Sequence, residues 1–189
     1  KSYNPATEEI LGEVEITPAD EVPNIVARAK AAQLAWGDLG LEGRAELLKA
    51  TADIFVDRVQ EHGELMTKEM GKPLKEAIGE AKSLGWGIEE ELAEIIEALT
   101  PEVVEDGRLR STIYHDPLGV VGAITPWNFP MSMPAWMILP SLAAGNTVVF
   151  KPSEETPLCG QAYADVLNEV LPKDVLIVIH GADDQGKAI

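Results

Sequence analysis

Residues 120–179 alternate between short apolar runs and helix-like stretches, and this alternation constrains the fold more than any other feature of the chain. The five segments, in order, are 120–124, 132–144, 147–150, 156–171 and 175–179. Short apolar strands separated by helices predict parallel strands joined by right-handed crossovers, with helices on both faces of the sheet. We therefore predict a β-α-β-α-β unit. A sheet of three strands would leave an open edge, so we expect the fold to be cut short here, or completed from outside this sequence.

The first hundred residues are predicted to be helical. Apolar residues recur there at the three-to-four spacing of one helix face, first at Val22, Ile25, Val26 and Ala29. Thr17 and Asp20 are candidate caps of this first helix. Further helices are predicted over 44–63, 64–70 and 75–99, with a break at 71–73. From Leu109 the period changes to two, which predicts a half-exposed strand.

The composition of the chain argues against several classes of binding partner. The chain has 15 Lys and Arg against 32 Asp and Glu, a formal charge of −17, which argues against nucleic acid or an anionic membrane as a partner. No apolar run is long enough to cross a bilayer, and there is one cysteine, Cys159, so we expect a cytoplasmic protein. His62, His115 and His180 are separated from one another and from Cys159, so no metal site is expected.

Asn128 is a candidate for chemistry, because it lies in the run Pro126-Trp127-Asn128-Phe129-Pro130 directly after the first predicted strand of the sheet. Prolines on both sides restrict its backbone, which suits a preorganised amide that donates a hydrogen bond to a developing oxyanion. The alternative is that Asn128 only ties down a turn.

Lys151 to Glu154 follow the second predicted strand, where dinucleotide-binding folds place the group that meets the adenosine ribose. A carboxylate at Glu154 favours NAD over NADP because it repels a 2′-phosphate, although the charge of Lys151 opposes that preference. A solvated turn with a weak surface ion pair is the alternative. No G-x-G-x-x-G fingerprint follows the first strand, so the usual phosphate loop is not expected.

The single cysteine and an apolar group beside Asn128 could each have a purely structural role. Cys159 is the sole cysteine and lies near a predicted helix start, which could lower its pKa, but a buried and unreactive thiol is the better interpretation. Met133 and Trp136 belong to an apolar group beside Asn128 that either packs in the core or lines an apolar tunnel.

The ordered set of motifs resembles the NAD(P)-dependent aldehyde dehydrogenase superfamily, and the resemblance extends over nearly the whole chain. The segments that carry it are 4–7, 12–14, 69–73, 116–121, 126–130, 140–146 and 151–157. The resemblance implies an α/β fold, in which N-terminal helices precede an incomplete Rossmann-like parallel sheet of the coenzyme domain. It also implies an oligomerisation hairpin, formed by 109–116 and the strand after it. The implied divisions are a helical part over 1–108, an oligomerisation strand over 109–118 and a partial coenzyme domain over 119–189, without the catalytic domain.

The resemblance also implies roles for individual residues. Asn128 is the expected catalytic residue, as the side-chain oxyanion donor. The expected contacts of NAD, or of NADP, are Ile124, Thr125, Pro126 and Trp127 near the nicotinamide half and Lys151, Pro152, Ser153 and Glu154 at the ribose. Met133 and Trp136 correspond to positions that often face the substrate tunnel.

The family oxidises an aldehyde through a cysteine nucleophile and uses a glutamate as base, and both lie downstream of residue 189 in the family. Cys159 does not match that cysteine, so we expect this chain to be an N-terminal portion that is inactive alone. With its hairpin intact it is expected to form a homo-oligomer. The alternative is a non-catalytic module that binds a nucleotide, or that pairs with a full-length relative.

Overall fold

The structure, a computed structural model, describes residues 1–189, with helices in the first half and a parallel sheet with its connecting helices in the second. The helices are α1 (Val22–Asp38), α2 (Gly40–Lys49), α3 (Thr51–Asp57), α4 (Val59–Met70), α5 (Leu74–Trp86), α6 (Ile88–Leu99), α7 (Ser132–Ala143), α8 (Pro157–Asn168) and α9 (Asp183–Ala188). The strands are β1 (Ser2–Tyr3), β2 (Ile10–Gly12), β3 (Glu102–Glu105), β4 (Arg110–Ile113), β5 (Val120–Ile124), β6 (Thr147–Lys151) and β7 (Leu176–Val178). None of the helices combines the length and apolarity that crossing a membrane requires.

The predicted β-α-β-α-β unit is confirmed. Strands β5, β6 and β7 form a parallel sheet in that order, and α7 and α8 are the crossovers. Both crossover helices pack with Val148 and Phe150 in the main core, because successive right-handed connections in one direction along a sheet put their helices on one face. Val149 points the other way and packs with Ile25 of α1, so α1 covers the opposite face, whereas residues of α2 to α6 share the main core with α7 and α8.

The helix boundaries in the first hundred residues differ from the predicted ones. The predicted helix over 44–63 is divided among α2, α3 and α4, and Gly63 lies inside α4 instead of ending a helix. A Cβ on Gly63 would lie 2.6 Å from Cγ1 of Ile78, so this glycine permits the close approach of α4 and α5. The predicted break at 71–73 is confirmed, and Gly71 ends α4 with φ of 81°.

The predicted caps of α1 are wrong. A short 3₁₀ turn, Ala19–Glu21, precedes the helix, and no side chain caps its first turn. Thr17 instead connects to the C-terminal end of the chain: its Oγ1 accepts from the His180 backbone N–H at 3.1 Å, and its carbonyl accepts from Gln185 Nε2 at 2.8 Å.

Strand β4 forms a hairpin, but its partner strand is not the predicted one. Strand β4 pairs antiparallel with β3, which precedes it, whereas β5 joins the parallel sheet. The Asp106 carboxylate accepts from the backbone N–H groups of Arg108 and Leu109 at 3.0 and 2.9 Å, and Gly107 has φ of 82°, so a local turn closes the hairpin. Every residue of β3 and β4 is exposed.

Glu69 of α4 connects three parts of the fold. Its buried carboxylate accepts from the backbone N–H groups of Leu158 and Cys159 at 2.9 and 2.7 Å, and from the Ser2 hydroxyl at 2.7 Å. Thr156 precedes the first residue of α8, but its side chain makes no capping hydrogen bond. The free N–H groups at the start of α8 are therefore satisfied by a residue from a distant helix.

We expect Glu69→Ala to lower the free energy of unfolding by about 3 kcal/mol, because it leaves two backbone donors of α8 buried without an acceptor. Urea denaturation followed by circular dichroism measures the change. Glu64→Ala is the matched control, since Glu64 lies on the same helix but is exposed, and a change within about 0.5 kcal/mol is expected there. Equal losses for the two variants would contradict the capping role of Glu69.

Candidate functional site

A cleft of about 350 Å³ lies at the carboxyl edge of the parallel sheet, beyond the ends of β5 and β6. Its lining residues are Ile124, Thr125, Lys151, Ser153, Glu154, Ala182, Asp183, Gly186 and Lys187. The cleft forms where the sequence predicts a ligand, because Ile124 and Lys151 are register partners and the Thr125 N–H donates to the Lys151 carbonyl at 3.2 Å. Five of the eight predicted cofactor residues therefore line one cleft.

Lys151 is buried, and its ammonium group is directed into the protein. It donates to the carbonyl oxygens of Gly181 and Pro152 at 2.9 and 3.1 Å, and it lies 3.4 Å from a Glu154 carboxylate oxygen. These contacts hold the segment before α9 against the end of β6. The pair of Lys151 and Glu154 is thus not the surface ion pair of the alternative interpretation, because only its carboxylate is open to solvent.

Glu154 presents a half-exposed carboxylate to the cleft. A hydrogen bond from its own backbone N–H, helped by the charge of Lys151, lowers the pKa of this carboxyl below its usual range. The group therefore stays ionised at neutral pH and can accept two hydrogen bonds. Asp183 also lines the cleft, and its carboxylate lies 3.8 Å from the ammonium of Lys187.

These residues fit the ribose of a dinucleotide. An ionised carboxylate can accept hydrogen bonds from two adjacent hydroxyl groups, and the half-exposed Ile124 side chain offers an apolar wall beside it. Pro152 lies behind the cleft, packed against Gly160, where a Cβ would come within 2.3 Å of the proline ring. Pro152 thus supports the cleft from below and does not line it.

The loop between β5 and α7 carries Asn128 to the surface. Thr125 is buried, but Pro126, Trp127, Asn128 and Phe129 are exposed. The Asn128 amide forms no hydrogen bond within the chain, so it does not tie down the turn and remains free to donate. Trp127 lines a separate cleft of about 360 Å³ with residues that include Met70 and Glu155. The structure therefore does not bring Pro126 and Trp127 into the cleft of Glu154.

Glu80 and Lys72 hold this loop at the start of α7, and neither residue was predicted to have a role. One oxygen of the buried Glu80 carboxylate accepts from the backbone N–H groups of Met131 and Ser132 at 3.2 and 3.0 Å. The other oxygen pairs with the Lys72 ammonium, which also lies 4.4 Å from the centroid of the Phe129 ring. A signal was present: Glu80 lies on the same buried helix face as Ala77, Ala81 and Leu84.

Cys159 is a buried structural thiol, as the sequence favoured. Burial raises the pKa of the Cys159 thiol, and the nearby charge of Glu69 raises it further, so the start of α8 does not activate it. No group of His, Cys, Asp and Glu side chains is arranged to hold a metal ion. His180 contacts Gln161 Oε1 at 2.8 Å, and burial lowers the pKa of both His62 and His180.

We expect Cys159 in the folded chain to resist alkylation by iodoacetamide at pH 8, because its raised pKa keeps the thiol protonated and its burial blocks access. Intact mass spectrometry after incubation with and without urea measures the modification. The unfolded chain should be alkylated completely and serves as the control. Rapid stoichiometric alkylation of the folded chain would contradict the structural role of this thiol.

The chain resembles proteins of one family along its whole length. The model of the aldehyde dehydrogenase family matches residues 1–189. The malonate-semialdehyde dehydrogenase of Lacticaseibacillus casei is 39% identical over 189 residues, which cover 96% of this chain and 37% of that protein. The mitochondrial succinate-semialdehyde dehydrogenase of Arabidopsis thaliana is 40% identical, over 100% of this chain and 36% of that protein. The chain thus spans less than two fifths of the length of these relatives.

Solved structures show the same fold. The NADP-dependent glyceraldehyde-3-phosphate dehydrogenase from Bacillus halodurans C-125, solved with NADP, is 32% identical with a TM-score of 0.90, over 100% of this chain and 41% of that one. An NADP-dependent enzyme from E. coli is 34% identical with a TM-score of 0.91, over 99% of this chain and 40% of that one. Since the family model matches every residue, the chain belongs to the aldehyde dehydrogenase family and corresponds to its N-terminal region.

Proposed function

We propose that residues 1–189 supply the coenzyme-binding and oxyanion-donor portion of an NAD(P)-dependent aldehyde dehydrogenase, which oxidises an aldehyde to a carboxylic acid. The observation that carries this proposal is the cleft at the carboxyl edge of the sheet. It gathers five of the expected cofactor residues, among them an ionised Glu154, next to the loop that bears a free Asn128 amide.

Each part of the site has a role in the proposed reaction. Glu154 and Ser153 hold the adenosine ribose, and Lys151 fixes the backbone that surrounds it. The bound dinucleotide supplies the hydride acceptor. The Asn128 amide donates a hydrogen bond to the aldehyde oxygen as negative charge develops on it. Because Cys159 is buried and protonated, the nucleophile and the base come from residues outside this chain.

The charges in the cleft favour NAD over NADP. A 2′-phosphate bound there would lie near the carboxylates of Glu154 and Asp183, whereas the ammonium of Lys151 is engaged by backbone carbonyls. A similar protein has been solved with NADP. We therefore expect this chain to bind both nucleotides, with a higher affinity for NAD than for NADP. The relatives named for malonate and succinate semialdehyde suggest an aldehyde that bears a second carbonyl or carboxyl group.

The β3–β4 hairpin supports a role in assembly. A two-stranded hairpin exposed on both faces is marginal in water, and Val103, Val104 and Ile113 each remain nearly half exposed. We assign 109–118, together with its partner strand β3, to a homo-oligomer contact, and the rest of 1–108 and 119–189 to the coenzyme domain. The same exposure favours the second candidate function, a non-catalytic module that pairs with a full-length relative. The acidic composition and single thiol support a cytoplasmic location.

A chimera tests the proposed function. Residues 1–189 replace the equivalent region of the Lacticaseibacillus casei malonate-semialdehyde dehydrogenase, and NADH formation is followed by absorbance with malonate semialdehyde and succinate semialdehyde. We expect the chimera to turn over and the chain alone to bind NAD without turnover. A folded chimera that binds NAD but forms no NADH would contradict the catalytic proposal and favour the non-catalytic module.

We expect Asn128→Ala in this chimera to lower kcat by roughly 10²–10³, because one oxyanion donor is lost, while the affinity for NAD stays within about twofold. Asn168→Ala, at the exposed end of α8, is the matched control and should leave kcat unchanged. An unchanged kcat for Asn128→Ala would remove this residue from the mechanism.

We expect Glu154→Gln to raise the affinity for NADP relative to NAD by about tenfold, because the variant no longer repels the 2′-phosphate. Calorimetric titration of both nucleotides into the 189-residue chain measures the ratio. The neighbouring Glu155 is exposed and lines the other cleft, so Glu155→Gln is the matched control and should leave the ratio unchanged. An equal change in both variants would mean that only overall charge matters.

A further inference from the structure

A second, more enclosed cavity of about 260 Å³ lies among α3, α5, α6, α7 and α8. It shares no lining residue with the cleft at the edge of the sheet, so the expected cofactor contacts do not account for it. Of the two residues that the resemblance places at the substrate tunnel, Trp136 lines this cavity and Met133 does not. Eight of its twelve lining residues are hydrophobic, so the body of any ligand bound there must be largely apolar.

Aromatic rings form much of the wall. Phe55 and Tyr163 stack with their ring centroids 5.5 Å apart, and the indole of Trp136 also lines the space. A cavity of about 150 Å³ lined by apolar side chains is large enough for benzene. The larger space here accommodates a benzene-sized ring together with a short chain.

Two polar groups in this cavity lack partners within the chain. The Glu91 carboxylate forms no hydrogen bond or ion pair within the chain. Burial raises the pKa of this carboxyl above its usual range, and the charge of Glu94 raises it further. The Tyr163 hydroxyl also makes no hydrogen bond to the chain, and the side chain is almost completely buried. Burial raises the pKa of Tyr163, and the charge of Glu91, which lines the same cavity, raises it further.

No cationic side chain lines the cavity, so the charge of Glu91 is not compensated from within. A partly buried carboxylate is unfavourable unless it is paired, and a cation is the group that would pair with it. Aromatic faces also attract cations, whereas an anionic ligand would meet repulsion from Glu91 and from Glu94 nearby.

We propose that this cavity binds a small organic ammonium ion with an aromatic or short apolar body. The ammonium group donates hydrogen bonds to the Glu91 carboxylate and to the Tyr163 hydroxyl oxygen. The apolar body packs against Phe55, Trp136 and Leu139. This proposal does not rest on the proposed dehydrogenase function, because Glu91 and Tyr163, which would hold the ammonium group, have no role in that reaction.

The test uses three probes of similar size and different charge: 2-phenylethylammonium, 2-phenylethanol and phenylacetate. Each is titrated into the ¹⁵N-labelled 189-residue chain at physiological ionic strength, and binding is followed by chemical shifts and by calorimetry. We expect the ammonium ion to shift the backbone amides of Ser83, Glu91 and Ala135 and to bind about tenfold more tightly than the alcohol. Phenylacetate should not bind.

Variants locate the site. Glu91→Gln should weaken binding of the ammonium ion about tenfold and leave the alcohol unchanged. Glu90→Gln is the matched control, since Glu90 is exposed in the same first turn of α6 and does not line the cavity. Ala135→Leu fills the cavity and should abolish binding of both the ammonium ion and the alcohol. Circular dichroism verifies the fold of each variant. If Ala135→Leu does not fold, the comparison of Glu91→Gln with Glu90→Gln decides the test.

Three results would overturn the proposal. They are ammonium binding that Glu91→Gln and Glu90→Gln weaken equally, phenylacetate binding as tight as that of the ammonium ion, and ammonium binding that shifts no residue lining the cavity. The first would indicate general attraction to an acidic surface, and the second and third would show that the cavity does not recognise a cation.

Discussion

Two buried carboxylates, Glu69 and Glu80, hold the sheet's crossover helices against the N-terminal helices. Glu69 of α4 accepts the first N–H groups of α8, and Glu80 of α5 accepts those of α7. Neither crossover helix has a capping side chain of its own. The first N–H groups of a helix have no partner within it, so burial without these carboxylates would be costly. The layer that carries the site therefore depends on helices that contribute no chemistry.

The sequence predicted the sheet well because its strands are short, apolar and separated by helices. The central strand β6 is buried on both faces, and such a strand is a continuous apolar run in the sequence. The crossover rule then determines how the strands are connected. The helix ends were harder to predict. A glycine such as Gly63 often marks the end of a helix. Here it instead allows α4 to pack closely against Ile78 of α5, which lies fifteen residues away in the sequence. The prediction of the hairpin was wrong because it overlooked the Asp106-Gly107 pair, which favours a tight turn between β3 and β4.

The candidate site was predictable in position and less so in detail. Polar residues after adjacent parallel strands must lie at one edge, which brought Thr125, Ser153 and Glu154 together. The orientation of Lys151 was not accessible, because its acceptor at Gly181 is thirty residues further along the chain. That orientation changes the electrostatics, since it removes a cation from the open cleft. The proposed preference for NAD thus depends on the hydrogen bond from Lys151 to Gly181, which spacing alone cannot show.

The loop that bears Asn128 combines a fixed end with an exposed aromatic surface. Glu80 and Lys72 hold the loop where it enters α7, yet Trp127 and Phe129 remain about half exposed. Large aromatic side chains beside an unpaired amide are typical of a surface that another body covers. In the proposed reaction a thiolate has to approach the same amide, because the oxyanion forms on the carbonyl that it attacks. We therefore expect one covering surface both to exclude water from Asn128 and to bring the nucleophile.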